Sequence, residues 1–233
     1  MKSVCFYLQS YIFLSILSLL STLHALDSPE RYCIKEGYVS RTSYTHFDDT
    51  GNKDECQDEV YCAAQVIAKT RHYRNIGDIG CGSGFKLIKY FKSHETVGFE
   101  IEPTLSFLKA KYPDRRWEVS DFSHSLAERQ FDLIVCADVI EHLVNPNELL
   151  EWIKECNFEL LIISTPDRAR LLKLYGNNIQ SQVGPPLNPC HVREWTFDEF
   201  ASYIGQHFDI VSHFHCKKEY WGQVIVVKKR NAH

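Results

Sequence analysis

Two groups of residues in this sequence have the types and spacing to do chemistry. The first is Asp78 with Gly80, Gly82 and Gly84, an Asp-x-Gly-x-Gly-x-Gly run set within Asn75 to Phe85. A strand, a glycine turn and a helix N-terminus together make a cradle for a nucleotide-like molecule. Glycine is needed where the backbone turns with positive φ or must touch a ligand. The dinucleotide fingerprint spaces its glycines G-x-G-x-x-G and aims a helix at a pyrophosphate. A carboxylate at Asp78 would repel a pyrophosphate but would accept hydrogen bonds from an ammonium group. The second group is Asp138, Glu141 and His142, with His191 further on in Asn188-Pro189-Cys190-His191-Val192-Arg193-Glu194-Trp195-Thr196. Two oxygen ligands and two imidazoles can bind a divalent metal, and an acid–histidine cluster also suits taking a proton from a hydroxyl.

The elements that must position these residues alternate. Asp54 to Lys69 is expected to be helical, with Val60, Ala63, Ala64 and Ile67 on one face. Asp54 and Glu55 suit the positive end of that helix. Asn75 to Ile79 forms the first strand, and a helix over Lys86 to Lys92 follows the glycines. Thr96 to Glu100 is the next strand, with Glu100 about twenty residues past Gly80, the spacing of a carboxylate that binds ribose hydroxyls. Pro103 opens a helix to about Lys111, and Trp117 to Val119 is a third strand, followed by Ser120-Asp121-Phe122. Phe131 to Cys136 is apolar throughout and so reads as a strand buried on both faces. Asn145 and Pro146 start a helix to about Cys156, and Phe158 to Ser164 is a fifth strand ending in Ser164-Thr165-Pro166. Arg168 to Cys190 is expected to be irregular. Thr196 to Glu199 is a capping box, and two closely spaced strands, Phe208 to His215 and Trp221 to Lys229, end the chain as an antiparallel pair. The order implies an α/β, Rossmann-like doubly wound sheet, mostly parallel.

With these signals in register at the carboxyl ends of strands, residues 54 to 229 resemble the class I S-adenosylmethionine (SAM) methyltransferases. The resemblance implies a seven-stranded fold and SAM as cofactor. It implies a cofactor pocket of Asp78, Gly80, Cys81, Gly82, Gly84 and Glu100. Asp121 would meet the adenine amino group and Phe122 the ring, with Asp138 at the edge of the same pocket. Glu141, His142 and His191 would face the acceptor as catalytic residues. The Asp138–Glu141–His142 cluster, Ser164 to Pro166 and the His191 to Thr196 run are also similar to the metal-dependent 2′-O-methyltransferases of small RNAs. That similarity implies a divalent metal on Asp138, Glu141, His142 and His191. Asp138 departs from it, standing where that family usually has Glu. The Asn-Pro-x-His-Val-Arg-Glu run is closer to small bacterial methyltransferases associated with glycans and quinones. O-methylation of a small-molecule or glycan-type hydroxyl is therefore the expectation, with RNA 2′-O-methylation as the alternative. A SAM-binding module without catalysis and an NAD-dependent oxidoreductase are the readings from other classes; the Asp78 carboxylate and the glycine spacing oppose the second.

The composition is that of a globular α/β domain: 233 residues, 44% hydrophobic and 24% charged. A net charge of -4 gives no basic footprint for nucleic acid. Nine cysteines cannot all pair, and free thiols are expected, with Cys81 and Cys136 as small buried residues. After Lys2 no charged residue appears until Asp27, so residues 1–25 read as a secretory signal peptide or a single-span membrane anchor. The need for SAM favours cytoplasmic exposure of the domain. Residues 26–53 are expected to form a cap segment and 54–233 the methyltransferase domain. His46, Asp48 and Asp49 are expected in a solvated loop of that cap, with an acceptor contact as the alternative. His213 and His215 should share one face of a surface strand. Arg168 and Arg170 are expected at a solvated helix start or against an anionic acceptor, and Arg193 beside a carboxylate.

Overall fold

The computed structural model describes residues 29–43, 45, 47–51, 56–175 and 182–230. The expected targeting segment 1–25, Tyr44 and His46 of the cap, and Asp54 and Glu55 of the first helix lie outside them. Among the described residues no helix is long and apolar enough to cross a membrane.

Seven strands form one sheet: β1 (Asn75–Ile79), β2 (Glu95–Glu100), β3 (Arg116–Val119), β4 (Gln130–Ala137), β5 (Asn157–Pro166), β6 (Asp209–His215) and β7 (Gly222–Lys228). Their order is β3-β2-β1-β4-β5-β7-β6. The first five are parallel. β7 runs antiparallel to both β5 and β6. Parallel neighbours need long crossovers, which helices supply. The helices are α1 (Asp58–Arg71), α2 (Phe85–Tyr90), α3 (Thr104–Lys111), α4 (Pro146–Glu155), α5 (Arg168–Tyr175) and α6 (Phe197–His207), of which α2, α3 and α4 lie on the crossovers β1–β2, β2–β3 and β4–β5. One face of the sheet buries Val60, Ala64, Leu87, Leu108, Leu133 and Val135 with α1, α2 and α3. The other buries Ile79, Ile134, Leu149, Ile153, Phe200 and Trp195 with α4 and α6. The run Phe131 to Cys136 is apolar because β4 lies between these two layers.

Local chemistry sets most boundaries. Asp58 and Glu59 occupy the first turn of α1, where carboxylates oppose the helix dipole. Pro146 stands at the start of α4 after Asn145. Thr196 and Glu199 form the expected capping box of α6.

The largest departure is α5, where residues 168–175 are helical rather than irregular. Asp167 caps it, its Oδ1 accepting from the Ala169 N–H at 2.8 Å. Arg168 is not at a solvated helix start either. It is 3% exposed, and its guanidinium grips both Glu199 oxygens at 2.8 and 2.6 Å. It also donates to the Glu194 carbonyl and lies over the Tyr38 ring. Arg170 donates to the Tyr220 carbonyl. Arg193 donates to the carbonyls of Leu143 and Val144 and lies over Tyr32. His213 and His215 share a face as expected, both stacked on Phe197. Among the described residues no disulfide is formed, and Cys81 and Cys136 are buried.

Candidate functional site

The carboxyl ends of β1 to β5 open into a cavity of about 760 Å³. Ligands bind at that end of open α/β sheets because the flanking loops diverge there. The glycine loop after β1 forms its floor. Gly80, Gly82 and Gly84 all have positive φ, the left-handed conformation in which a side chain is strained. At Gly82 the space is also taken: a Cβ there would land on the Asp49 carboxylate. Asp49 therefore belongs to the wall of the cavity and not to a solvated loop.

Gly80, Gly82, Glu100, Asp121, Phe122 and Asp138 line the cavity as expected. Glu100 accepts from the Gly82 N–H at 2.8 Å and the Ile101 N–H at 2.9 Å, which ties the glycine loop to the tip of β2. Asp121 accepts from the Ser123 N–H and hydroxyl, and these bonds hold its carboxyl below the ordinary range. Phe122 packs against Trp152 with ring centroids 5.4 Å apart. Asp78, Cys81 and Gly84 stand behind the wall and do not line it. Asp78 is fully buried and takes the Tyr61 hydroxyl on both oxygens at 3.1 and 3.0 Å. Burial pushes its carboxyl up to about 7, against the pull of Tyr61 and of nearby Lys86. Cys81 lies under the loop, its sulfur beside Gly98, and Gly84 packs on Leu108 and Trp117.

On the opposite wall Glu141, His142 and His191 place one ligand atom each within 4.8 Å of one another. Glu141 and His142 sit on a single 3-10 turn, Ile140–His142, just past β4. His191 comes from the loop before α6. Two backbone bonds join turn and loop: the N–H groups of Val192 and Arg193 both donate to the Glu141 carbonyl. Each imidazole is anchored through Nδ1. That atom of His142 lies 2.8 Å from the Cys190 carbonyl, and that of His191 lies 2.7 Å from Glu194 Oε1. Each bond fixes the ring and places the proton on Nδ1, the usual support for a ligating or basic histidine, and His142 Nε2 lies 4.0 Å from Glu141 Oε1. The Asn188 amide reaches His191 Nε2 at 2.9 Å, a bond that an incoming hydroxyl or cation would displace.

Glu141 is fully buried. Its Oε2 accepts from Thr165, while Oε1 has no hydrogen-bond partner. Burial, and then the charge of Asp138, raise its carboxyl well above the ordinary range. A buried carboxylate oxygen without a donor is costly unless something positive or protonated meets it. The donor set therefore fits a divalent cation through Glu141, His142 and His191. Asp138, the fourth residue expected there, does not join them. Its Oδ1 takes the Ser164 hydroxyl at 2.6 Å, and its backbone holds φ 55 at the tip of β4.

Sequence reasoning missed several wall residues. Phe47 stacks on His142 with ring centroids 6.4 Å apart. Gln57 and Trp221 border the cavity from opposite ends of the chain. Glu194 was visible within its motif, and its spacing of three residues from His191 was the available signal. Tyr61, behind the wall, and Phe47 carried none, since only the tertiary fold brings them here.

Residues 55–216 match a family model described as a methyltransferase domain. No curated protein matches the sequence. The fold is similar to the methyltransferase domain of a bacterial Hen1 protein, with TM-score 0.55 and 20% identity over 73% of this chain and 98% of that one. It is similar to the small RNA methyltransferase HEN1, with TM-score 0.57 and 18% identity over 82% of this chain and 27% of that one. It is also similar to the magnesium protoporphyrin IX methyltransferase of Synechocystis PCC 6803, solved with bound S-adenosylhomocysteine (SAH), with TM-score 0.57 and 14% identity over 75% and 84%.

Proposed function

Since the chain belongs to the SAM-dependent methyltransferase domain family, we propose that the atom it methylates is a hydroxyl oxygen held at Glu141, His142 and His191, on a small-molecule or glycan-type acceptor. When bound, SAM supplies a methyl group on a positively charged sulfur, a leaving group that needs no further activation. The protein then has to align donor and acceptor and manage one proton. Gly80, Gly82, Glu100, Asp121 and Phe122 would hold the nucleoside along the ends of β1 to β3. Asp78 would act from behind the loop, its charge reaching the amino-acid end of the cofactor through the glycine backbone.

The observation that supports the hydroxyl reading best is the pair of histidines, each anchored through Nδ1 and grouped beside the buried Glu141 carboxyl. His191 would take the acceptor proton, and Glu194 would stabilise the imidazolium so formed. Removing such a base costs about 10²–10⁴ in rate. A divalent cation on Glu141, His142 and His191 would, when bound, acidify the hydroxyl it touches. The Glu141 oxygen that lacks a hydrogen-bond donor favours this, and with it supports a second reading, metal-assisted 2′-O-methylation of RNA.

The test is a methyl-transfer screen over phenol, glycan and RNA pools, with and without chelator. His191→Ala is expected to lower turnover by roughly a hundredfold or more, within the range for a lost base, with SAM affinity nearly unchanged. Unaltered turnover in that variant would remove the role assigned to His191. Chelator-sensitive transfer to RNA would promote the second reading over the first.

A further inference from the structure

Half of the cavity is left for the acceptor, and its walls are apolar. α5 turns Leu171, Leu172 and Tyr175 into it, and Leu187 and Phe47 complete the mouth. Tyr175 is 68% exposed, Leu187 54% and Phe47 50%. Large apolar side chains left open around a concave site mark the place a ligand covers.

The electrostatics of the same cavity weigh against one class of acceptor. Its described lining holds Asp49, Glu100, Asp121, Asp138, Glu141 and Glu194 but no lysine or arginine. The arginines bordering the acceptor side are engaged by other groups. Arg168 is paired with Glu199, Arg170 donates to the Tyr220 carbonyl, and Arg41 donates to the Pro186 carbonyl. Nucleic acids are held chiefly by lysine and arginine on phosphates. A phosphodiester chain entering here would meet carboxylates on the cavity wall, and Lys86, the described cation that acts on Asp78 and Asp138, does not line the cavity.

We propose that the acceptor is an uncharged phenol or alcohol with an apolar body, seated against Leu171, Leu172, Tyr175 and Leu187 with its hydroxyl at Glu141, His142 and His191. The proposal rests on the hydroxyl-transfer reading and narrows it to a substrate class. Each methylene buried on that wall is worth roughly 0.8 kcal/mol, about fourfold in affinity.

The test uses the full chain with labelled SAM and added divalent metal. The probes are catechol, butylcatechol, glucose, octyl glucoside and a short single-stranded RNA. Butylcatechol is expected to show a KM roughly tenfold or more below that of catechol, and octyl glucoside to be preferred to glucose in the same sense. RNA is expected neither to be methylated nor to compete. Tyr175→Ala, at an exposed position, and Leu171→Ser, at a half-buried one, should erase the chain-length preference and leave SAM affinity unchanged. If transfer to hydroxyls occurs and depends on His191, yet RNA is the better substrate or KM ignores the alkyl chain, the apolar-acceptor proposal falls while the hydroxyl reading stands. If no probe is methylated, or transfer is indifferent to His191→Ala, the hydroxyl reading falls and takes the proposal with it.

Discussion

Asp78 carries the most consequential charge in the molecule. Its carboxyl, raised to about 7 by burial, holds a proton in much of the population at neutral pH. A bound cation in front of the glycine loop favours the ionised form, so SAM uptake should release that proton. SAM affinity is expected to rise as pH climbs from about 6 to about 8 and then level off. Calorimetry in buffers of different ionisation heat should show the release directly. Asp78→Asn should flatten the profile, and a wild-type affinity indifferent to pH would uncouple Asp78 from the cofactor. The raised value also has a cost. Its contribution disfavours the fold increasingly as pH rises from the ordinary carboxylate range through about 7. That sign is opposite to the one Glu199 gives.

At the scale of elements, the join between α5 and α6 is the clearest case. Burial acts to raise the Glu199 carboxyl, but the N–H groups of Thr196 and Lys35 and the charge of Arg168 hold it below the ordinary value. The stabilisation is therefore complete above the ordinary carboxylate range and is lost as pH falls through the lowered value. Glu199→Gln leaves a buried guanidinium short of its charge and is expected to cost about 3 kcal/mol, read as a lower urea midpoint at neutral pH. The loss should shrink in acid. A change under about 0.5 kcal/mol, typical of surface sites, would mean that Arg168 finds another partner. The same junction shows what sequence could and could not reveal. The capping box, the strands and the glycine turn are local patterns and were legible in Thr196 to Glu199, Phe131 to Cys136 and Gly80 to Gly84. α5 was not, because its start is fixed by Asp167 and by a partner 31 residues away. The Glu141–His142–His191 group was legible as motifs. That Asp138 turns to Ser164, and that Tyr61 stands on Asp78, depended on packing between distant segments.

In the whole molecule, the residues before the sheet are bound to those before α6. Val39 N–H donates to the Val183 carbonyl, Arg41 N–H to that of Val192 and Thr45 N–H to that of Pro189. The Tyr38 hydroxyl accepts from the Glu194 N–H at 3.0 Å, and Trp195 Nε1 donates to the Tyr32 carbonyl at 2.9 Å. Both strips border the cavity, so a ligand should order them together. SAH binding is expected to slow hydrogen exchange in residues 38–50 and 183–195 in concert, by at least severalfold. Protection confined to the glycine loop would detach these strips from the site. The arrangement also has a temporal consequence. Phe47 and Trp221, on the walls of one cavity, leave the ribosome early and late. The chamber thus stays unroofed through most of translation, and any product halted before Trp221 would carry the cofactor loop without a finished room around it.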